Sequence, residues 1–195
     1  MTGDSWTHRL ARVMVRPLVG SPVTPNHLTT LRLATGLAAC ALFAAGGRSY
    51  EIWGGVFWVV SAFLDRADGE LARLAKAQSR WGHLYDYASD VALSALFFVA
   101  IGFGLRHGAF GSWAILLGCI AGVSVAAASL LSEAIERRTD NGQKAYEGAG
   151  GFDFDDILYL FGPFAWLSLL SPLLIGAAVF APPFALWTWL RLRRV

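Results

Sequence analysis

The sequence predicts an all-α, polytopic membrane protein with six transmembrane helices and an N-terminal amphipathic helix at the interface. Three observations carry that prediction. The first is composition. The 195 residues are 55% hydrophobic and 15% charged, with a mean hydropathy of +0.49, whereas a soluble domain carries about 25% charge. A soluble fold of this length lacks the interior to hide so much apolar surface, and a disordered chain needs the opposite composition. The second is a succession of apolar runs, most of them near the length that crosses a bilayer. The third is the segregation of basic residues between the segments that join those runs.

The elements follow in order. Residues 5–18 read as an amphipathic helix, with Trp6, Leu10, Val13, Met14 and Pro17 on one side and Arg9, Arg12 and Arg16 on the other. Asp4 or Ser5 could cap it. A cationic, Trp-bearing helix fits the headgroup plane; the alternative is packing on the protein's own cytosolic face. No apolar stretch follows Met1, so a cleavable signal peptide is not expected. Residues Gly20 to Pro25 turn the chain into the first span, Leu28–Ala45, interrupted only by Arg32. The second helix starts at Ile52 and stays apolar to Leu64. It then turns charged while keeping helical spacing to Ala77, so it crosses the bilayer and projects beyond it. The third span covers about His83 to Leu105, and the fourth Phe110 to Leu131. After a polar loop, Glu133 to Asp156, the last block is too long for one span of about 20 residues. Ser171-Pro172 is the expected break, giving helices near 157–170 and 173–190, with Pro182-Pro183 kinking the last.

Six spans leave both termini on one side. That side then holds Arg9, Arg12, Arg16, Arg66, Arg73, Lys76, Arg80, Arg137, Arg138, Lys144, Arg191, Arg193 and Arg194, against Arg48 and Arg106 on the other. This bias places both termini, residues 65–86 and the 133–156 loop in the cytosol. Residues 1–195 therefore read as a single membrane domain, with 5–18 as the interfacial helix and 25–190 as the six-helix bundle. A net charge of +2 with no basic stripe argues against a nucleic-acid partner. Cys40 and Cys119 sit inside apolar runs without metal-ligand spacing.

The charges that interrupt the apolar pattern need a reason. Asp65 and Asp68 are three residues apart near the end of the second helix, and Asp86 and Asp90 are four apart near the start of the third. Each pair shares a helix face. A short turn makes the two helices antiparallel neighbours, so the four carboxylates converge in a small volume near the cytosolic boundary. Four like charges so close require compensation, and oxygen-only ligands suit Mg²⁺ or a similar hard divalent ion. Gly69 interrupts the helix beside Asp68 and would let a ligand approach the backbone. Gly82 could do the same on the other helix, and Arg73, one turn past Gly69, could pair with a phosphate. Together these groups describe a diphosphate site.

The run from Asp65 to Asp90 resembles the signature of the CDP-alcohol phosphotransferase family, D-x2-D-G-x2-A-R-x8-9-G-x3-D-x3-D. Asp65, Asp68, Gly69, Ala72, Arg73, Gly82, Asp86 and Asp90 fill its fixed positions, with an eight-residue spacer. Upstream, Pro25-Asn26-His27-Leu28-Thr29-Thr30-Leu31-Arg32 is similar to the opening of the family's first membrane helix. The resemblance implies a phospholipid-synthesis enzyme of the inner or plasma membrane, its active site facing the cytoplasm. Such an enzyme transfers the substituted phosphate of a CDP-alcohol, most often CDP-diacylglycerol, to an acceptor alcohol and releases CMP. It implies Asp65, Asp68, Asp86 and Asp90 as ligands of two Mg²⁺ ions, or Mn²⁺ in their place, with Asp90 also the general base. It assigns Asn26, Thr29, Gly69, Arg73 and Ser79 to the CDP moiety, and it implies a homodimer.

The acceptor is not legible at this level. Arg137, Arg138 and Lys144 could bind a phosphorylated acceptor, while Asp153, Asp155 and Asp156 could favour a cationic amino-alcohol. Arg32 could face the acceptor or reach towards headgroups. The alternative function is a cation-coupled transporter using the clustered aspartates as its ion site. Such a protein should carry carboxylates through the bilayer depth; here the half opposite the cluster holds only Glu51.

Overall fold

The computed structural model describes residues 6–138 and 154–194. Asp4, Ser5, Lys144 and Asp153 lie outside the described residues. Among the described residues seven α-helices follow one another: α1 (Trp6–Val15), α2 (Pro25–Ala45), α3 (Arg48–Leu74), α4 (Arg80–Gly104), α5 (Trp113–Arg138), α6 (Phe161–Trp166) and α7 (Leu170–Leu192). Short 3-10 turns extend α1 and α4, and a longer one, Phe154–Leu160, leads into α6. Among the described residues there is no strand.

Among the described residues four stretches are long and apolar enough to cross a membrane: Pro25–Ala45, Arg80–His107, Trp113–Arg138 and Leu170–Leu192. Helix α3 has the length, 27 residues, but its last third carries the charged motif. The block after residue 156 departs from expectation. The break falls at Leu167–Leu169, where Ser168 takes a positive φ of 59°, and not at Ser171-Pro172. Pro172 occupies the first turn of α7, where its missing N–H and fixed φ are tolerated. The expected fifth helix is a 3-10 turn joined to six residues of α-helix. Helix α7 continues through Pro182 and Pro183.

Two kinds of contact hold the bundle. The first is aromatic. Phe97 of α4 lies at the centre, stacked on Phe161 at 4.6 Å between ring centroids and tilted on Trp58 at 4.3 Å. Phe43 and Phe98 meet it edge-on, and such pairs contribute about 0.5–1.5 kcal/mol each beyond area burial. The second is backbone approach between α4 and α5. A Cβ on Gly118 would lie 2.6 Å from the Phe98 carbonyl oxygen, and one on Gly122 2.6 Å from that of Ala95. Small residues four apart allow this close packing where lipid removes the hydrophobic drive between helices.

Helix α1 packs on α3 through Thr7, His8, Ala11 and Val15, all buried. Leu10, Val13 and Met14 stay exposed. The helix therefore touches the protein with one face and presents Leu10, Val13 and Met14 on another.

Candidate active site at the α2–α3–α4 junction

The site forms where the start of α2, the end of α3 and the start of α4 meet. Pro25 in the first turn of α2 fixes the entry of that helix. Ser79 caps α4, its Oγ accepting from Gly82 N at 3.0 Å. The turn between α3 and α4 is short, so Asp65 and Asp68 come beside Asp86. Carboxylate oxygens of these three residues lie within 4.8 Å of one another.

Arg32 organises the cluster. Its side chain is 4% exposed and bonds Asp65 and Asp90 at 2.7 Å and Asp86 at 2.6 Å. It does not reach towards headgroups. A buried guanidinium without partners would be strongly unfavourable, and three carboxylates supply them. Asp68 is almost fully buried and accepts from Thr29 Oγ1 at 2.6 Å. One guanidinium offsets one of four formal negative charges. The remaining excess, presented by oxygen donors only, fits a hard divalent cation. Asp90 joins the cluster through Arg32 and stands outside the tight group of three.

A cavity of about 110 Å³ opens beside these carboxylates, lined by Asn26, Thr29, Asp68, Gly69, Ser79, Gly82 and Asp86 among others. Four of the five residues assigned to the CDP moiety therefore share one wall with two of the assigned metal ligands. Arg73, the fifth, donates to Glu70 Oε1 at 2.8 Å and does not line the cavity. A second cavity, about 450 Å³, opens on another face of α4, between α5, residues 157–161 and α7, and Asp90 lines it. Neither Arg137 nor Arg138 lines either cavity: Arg137 Nε donates to Glu133 at 2.9 Å, and Arg138 to the Leu192 carbonyl.

Glu70 was not singled out from the sequence, yet it is 1% exposed and holds three cationic or ring partners. Arg12 Nε donates to it at 2.8 Å, Arg73 at 2.8 Å, and His8 Nδ1 lies 3.0 Å away. Arg66 donates to His8 Nε2 at 3.3 Å, which leaves the ring proton on Nδ1, facing Glu70. A charged residue on the buried face of an otherwise apolar helix pattern was the available signal. Its partners on α1 are 58 and 62 residues away, beyond any local spacing rule.

Membrane-length helices, with a carboxylate cluster that could hold a metal ion at their junction and a glycine- and serine-lined cavity beside it, define a helical membrane protein with a polar site at one end of its helices. The chain belongs to the CDP-alcohol phosphatidyltransferase family, whose model matches residues 22–188. Among solved structures it is similar to the phosphatidylinositol phosphate synthase of Mycobacterium tuberculosis with CDP-DAG bound. The two share 18% identity over 94% of each chain, with a TM-score of 0.75. No curated protein matches it. The family is one of transferases acting in phospholipid synthesis, so the aspartate cluster is read as part of an enzyme and not as a transporter's ion path.

Proposed function

We propose that this protein transfers the substituted phosphate of a CDP-alcohol, CDP-diacylglycerol in the simplest reading, to an acceptor alcohol with release of CMP. The observation that carries the reading is the convergence of Asp65, Asp68 and Asp86 beside the cavity lined by Asn26, Gly69 and Ser79. Asp65, Asp68, Asp86 and Asp90 would hold two divalent ions, Mg²⁺ or Mn²⁺. A metal held there would supply positive charge to offset that of the diphosphate and of the departing CMP.

The chain's own groups do the rest. Gly69 keeps the cavity open to the nucleotide end of the donor, while Asn26, Thr29 and Ser79 supply polar contacts. Asp90 takes the proton of the acceptor hydroxyl. The acceptor oxygen then forms a bond to the phosphorus that carries the lipid alcohol, and the bond from that phosphorus to the bridging oxygen breaks. The bridging oxygen leaves with CMP. Arg32, bonded to Asp90 and to two of the assigned metal ligands, fixes the base relative to the diphosphate. The donor's tails lie in lipid and its head at the cytosolic boundary. Six spans, an interfacial α1, a homodimer and a cytoplasm-facing site complete the reading.

The test is CMP release by the purified protein from CDP-diacylglycerol with Mg²⁺ and a panel of acceptors. Release that stops with EDTA and returns with Mg²⁺ is expected. Turnover surviving rigorous chelation would remove the metal, and no CMP with any acceptor would remove the donor.

A further inference from the structure

Helix α3 presents one face to the donor cavity and another to α1, and Arg73 stands at the edge between them. Asp68, Gly69 and Ala72 line the cavity. Ala67, Glu70 and Leu71, at i, i+3 and i+4, belong to the face that meets α1. The matching face of α1 is His8, Ala11, Arg12 and Val15, with the same spacing. Val15 packs with Ala67 and Leu71 in a small buried cluster, which seats the polar groups beside it. Glu70 Oε2 accepts from Arg12 Nε at 2.8 Å. Glu70 Oε1 accepts from Arg73 Nη1 at 2.8 Å and faces His8 Nδ1 at 3.0 Å. The carboxylate is 1% exposed, whereas the Arg73 side chain is 53% exposed.

We propose that Glu70 is a positioning residue of the donor site: held by α1, it keeps the Arg73 guanidinium turned back along α3 towards Gly69, where its remaining N–H donors meet the diphosphate of the CDP-alcohol. The inference rests on the transferase reading, with a CDP-alcohol as donor. Arg73 is the next-to-last residue of α3, a place from which a long side chain reaches solvent past the helix end. A bond to the residue three positions earlier draws it the other way, since the two are neighbours on the helix surface. Gly69 lies one turn before Arg73 and puts no side chain in the path. An arginine carries five N–H donors, and the bond to Glu70 takes one of them. Those that remain suit the oxygens of a phosphate. A guanidinium fixed before the donor arrives also loses less rotamer freedom on binding. Because His8 and Arg12 set the place of the carboxylate, α1 contributes to donor affinity without touching the donor.

The test uses the full-length protein in lipid nanodiscs with Mg²⁺. Wild type, Glu70→Gln, Arg73→Ala, the double variant and Arg12→Ala are compared by Kd for CDP, and by KM and kcat for CMP release from CDP-diacylglycerol with the acceptor panel. Arg73→Ala should raise Kd and KM by about tenfold, the scale of one charge-assisted contact. Glu70→Gln should raise both by about threefold with kcat little changed, and should add nothing in the Arg73→Ala background. Arg12→Ala should shift both in the same direction; its side chain is 40% exposed, so it tests the link even where Glu70→Gln folds poorly. A Glu70→Gln effect of equal size in both backgrounds, or one on kcat alone, shows a merely structural role and overturns the proposal. Tighter CDP binding by Glu70→Gln also overturns it, as does unchanged binding by Arg73→Ala. CDP binding without CMP release for any acceptor overturns the transferase reading, while the Kd comparison still decides the role of Glu70.

Discussion

A Cβ on Gly69 would meet no atom within 4 Å, whereas one on Gly82 would come within 3.0 Å of Ser79 Oγ and 3.2 Å of Asn26 Oδ1. The two motif glycines therefore answer to different constraints. Gly82 permits contact between α2 and α4. Gly69 makes no demand on packing and lines the cavity, so its missing side chain serves whatever enters. Gly69→Ala separates the two roles. In a helix interior it should stabilise by up to about 1 kcal/mol. If the diphosphate approaches the backbone there, kcat/KM for the CDP-alcohol should fall by about tenfold or more. Thermal unfolding and CMP release on the same preparation check both halves, and full activity would remove Gly69 from the donor site. The motif positions were legible because their spacing is local, within a turn of one helix. Arg32 was visible as an interruption of an apolar run, but its partners Asp65, Asp86 and Asp90 lie on other helices, the last two 54 and 58 residues away. Only the folded arrangement of α2 against α4 shows that it bonds the aspartates.

At the scale of elements, α1 is joined to the motif helix by more than apolar contact. Ala11 and Val15 pack on α3, and His8 and Arg12 close on Glu70, which also holds Arg73. The N-terminal helix and the motif arginine thus share one buried carboxylate. Glu70→Gln keeps the volume and removes the charge that gathers these groups. Breaking a fully buried ion pair costs about 3–5 kcal/mol. Here Arg12 and Arg73 side chains are 40% and 53% exposed, so water screens much of that, and about 1–2 kcal/mol is the expected loss. Hydrogen exchange should quicken across Trp6–Val15 while the amides of α4 and α5 stay protected. Unchanged exchange in α1 would show that apolar packing alone holds it. Helix boundaries were largely readable because the apolar periods are long. The failure came at residues 157–172. There a proline marked the wrong place, since Pro is as much at home in a helix's first turn as after its end.

For the whole molecule, the question is how many times the chain crosses the bilayer. Apolar length supports four crossings among the described residues, and α3 has the length for a fifth. The short segment before α7 decides between five and six. It runs antiparallel to α3: Tyr159 Oη donates to the Ala62 carbonyl at 3.0 Å, Trp58 Nε1 to Leu158 at 3.0 Å, and Trp166 Nε1 to Ile52 at 3.1 Å. Arg48 then donates to the carbonyls of Ala165 and Trp166 at the far end, adding to the hydrogen bond that Ala165 already accepts from Ser168 N. The segment therefore follows α3 from just before Asp65 back to Arg48, the apolar length that α3 itself would place in lipid. Its own helix, six residues long, is too short to span a bilayer by itself, but its path along α3 supports a crossing. This agrees with the charge asymmetry, since five spans would leave Arg191, Arg193 and Arg194 on the side opposite most of the other arginines. Single cysteines can test it after Cys40→Ala and Cys119→Ala. With an impermeant thiol reagent on intact cells, Ser112→Cys and Ser168→Cys should react directly, whereas Gln78→Cys and Arg194→Cys should react only after permeabilisation. Ser168→Cys reacting only after permeabilisation, or Arg194→Cys reacting without it, would reduce the count to five and place the two chain termini on opposite sides.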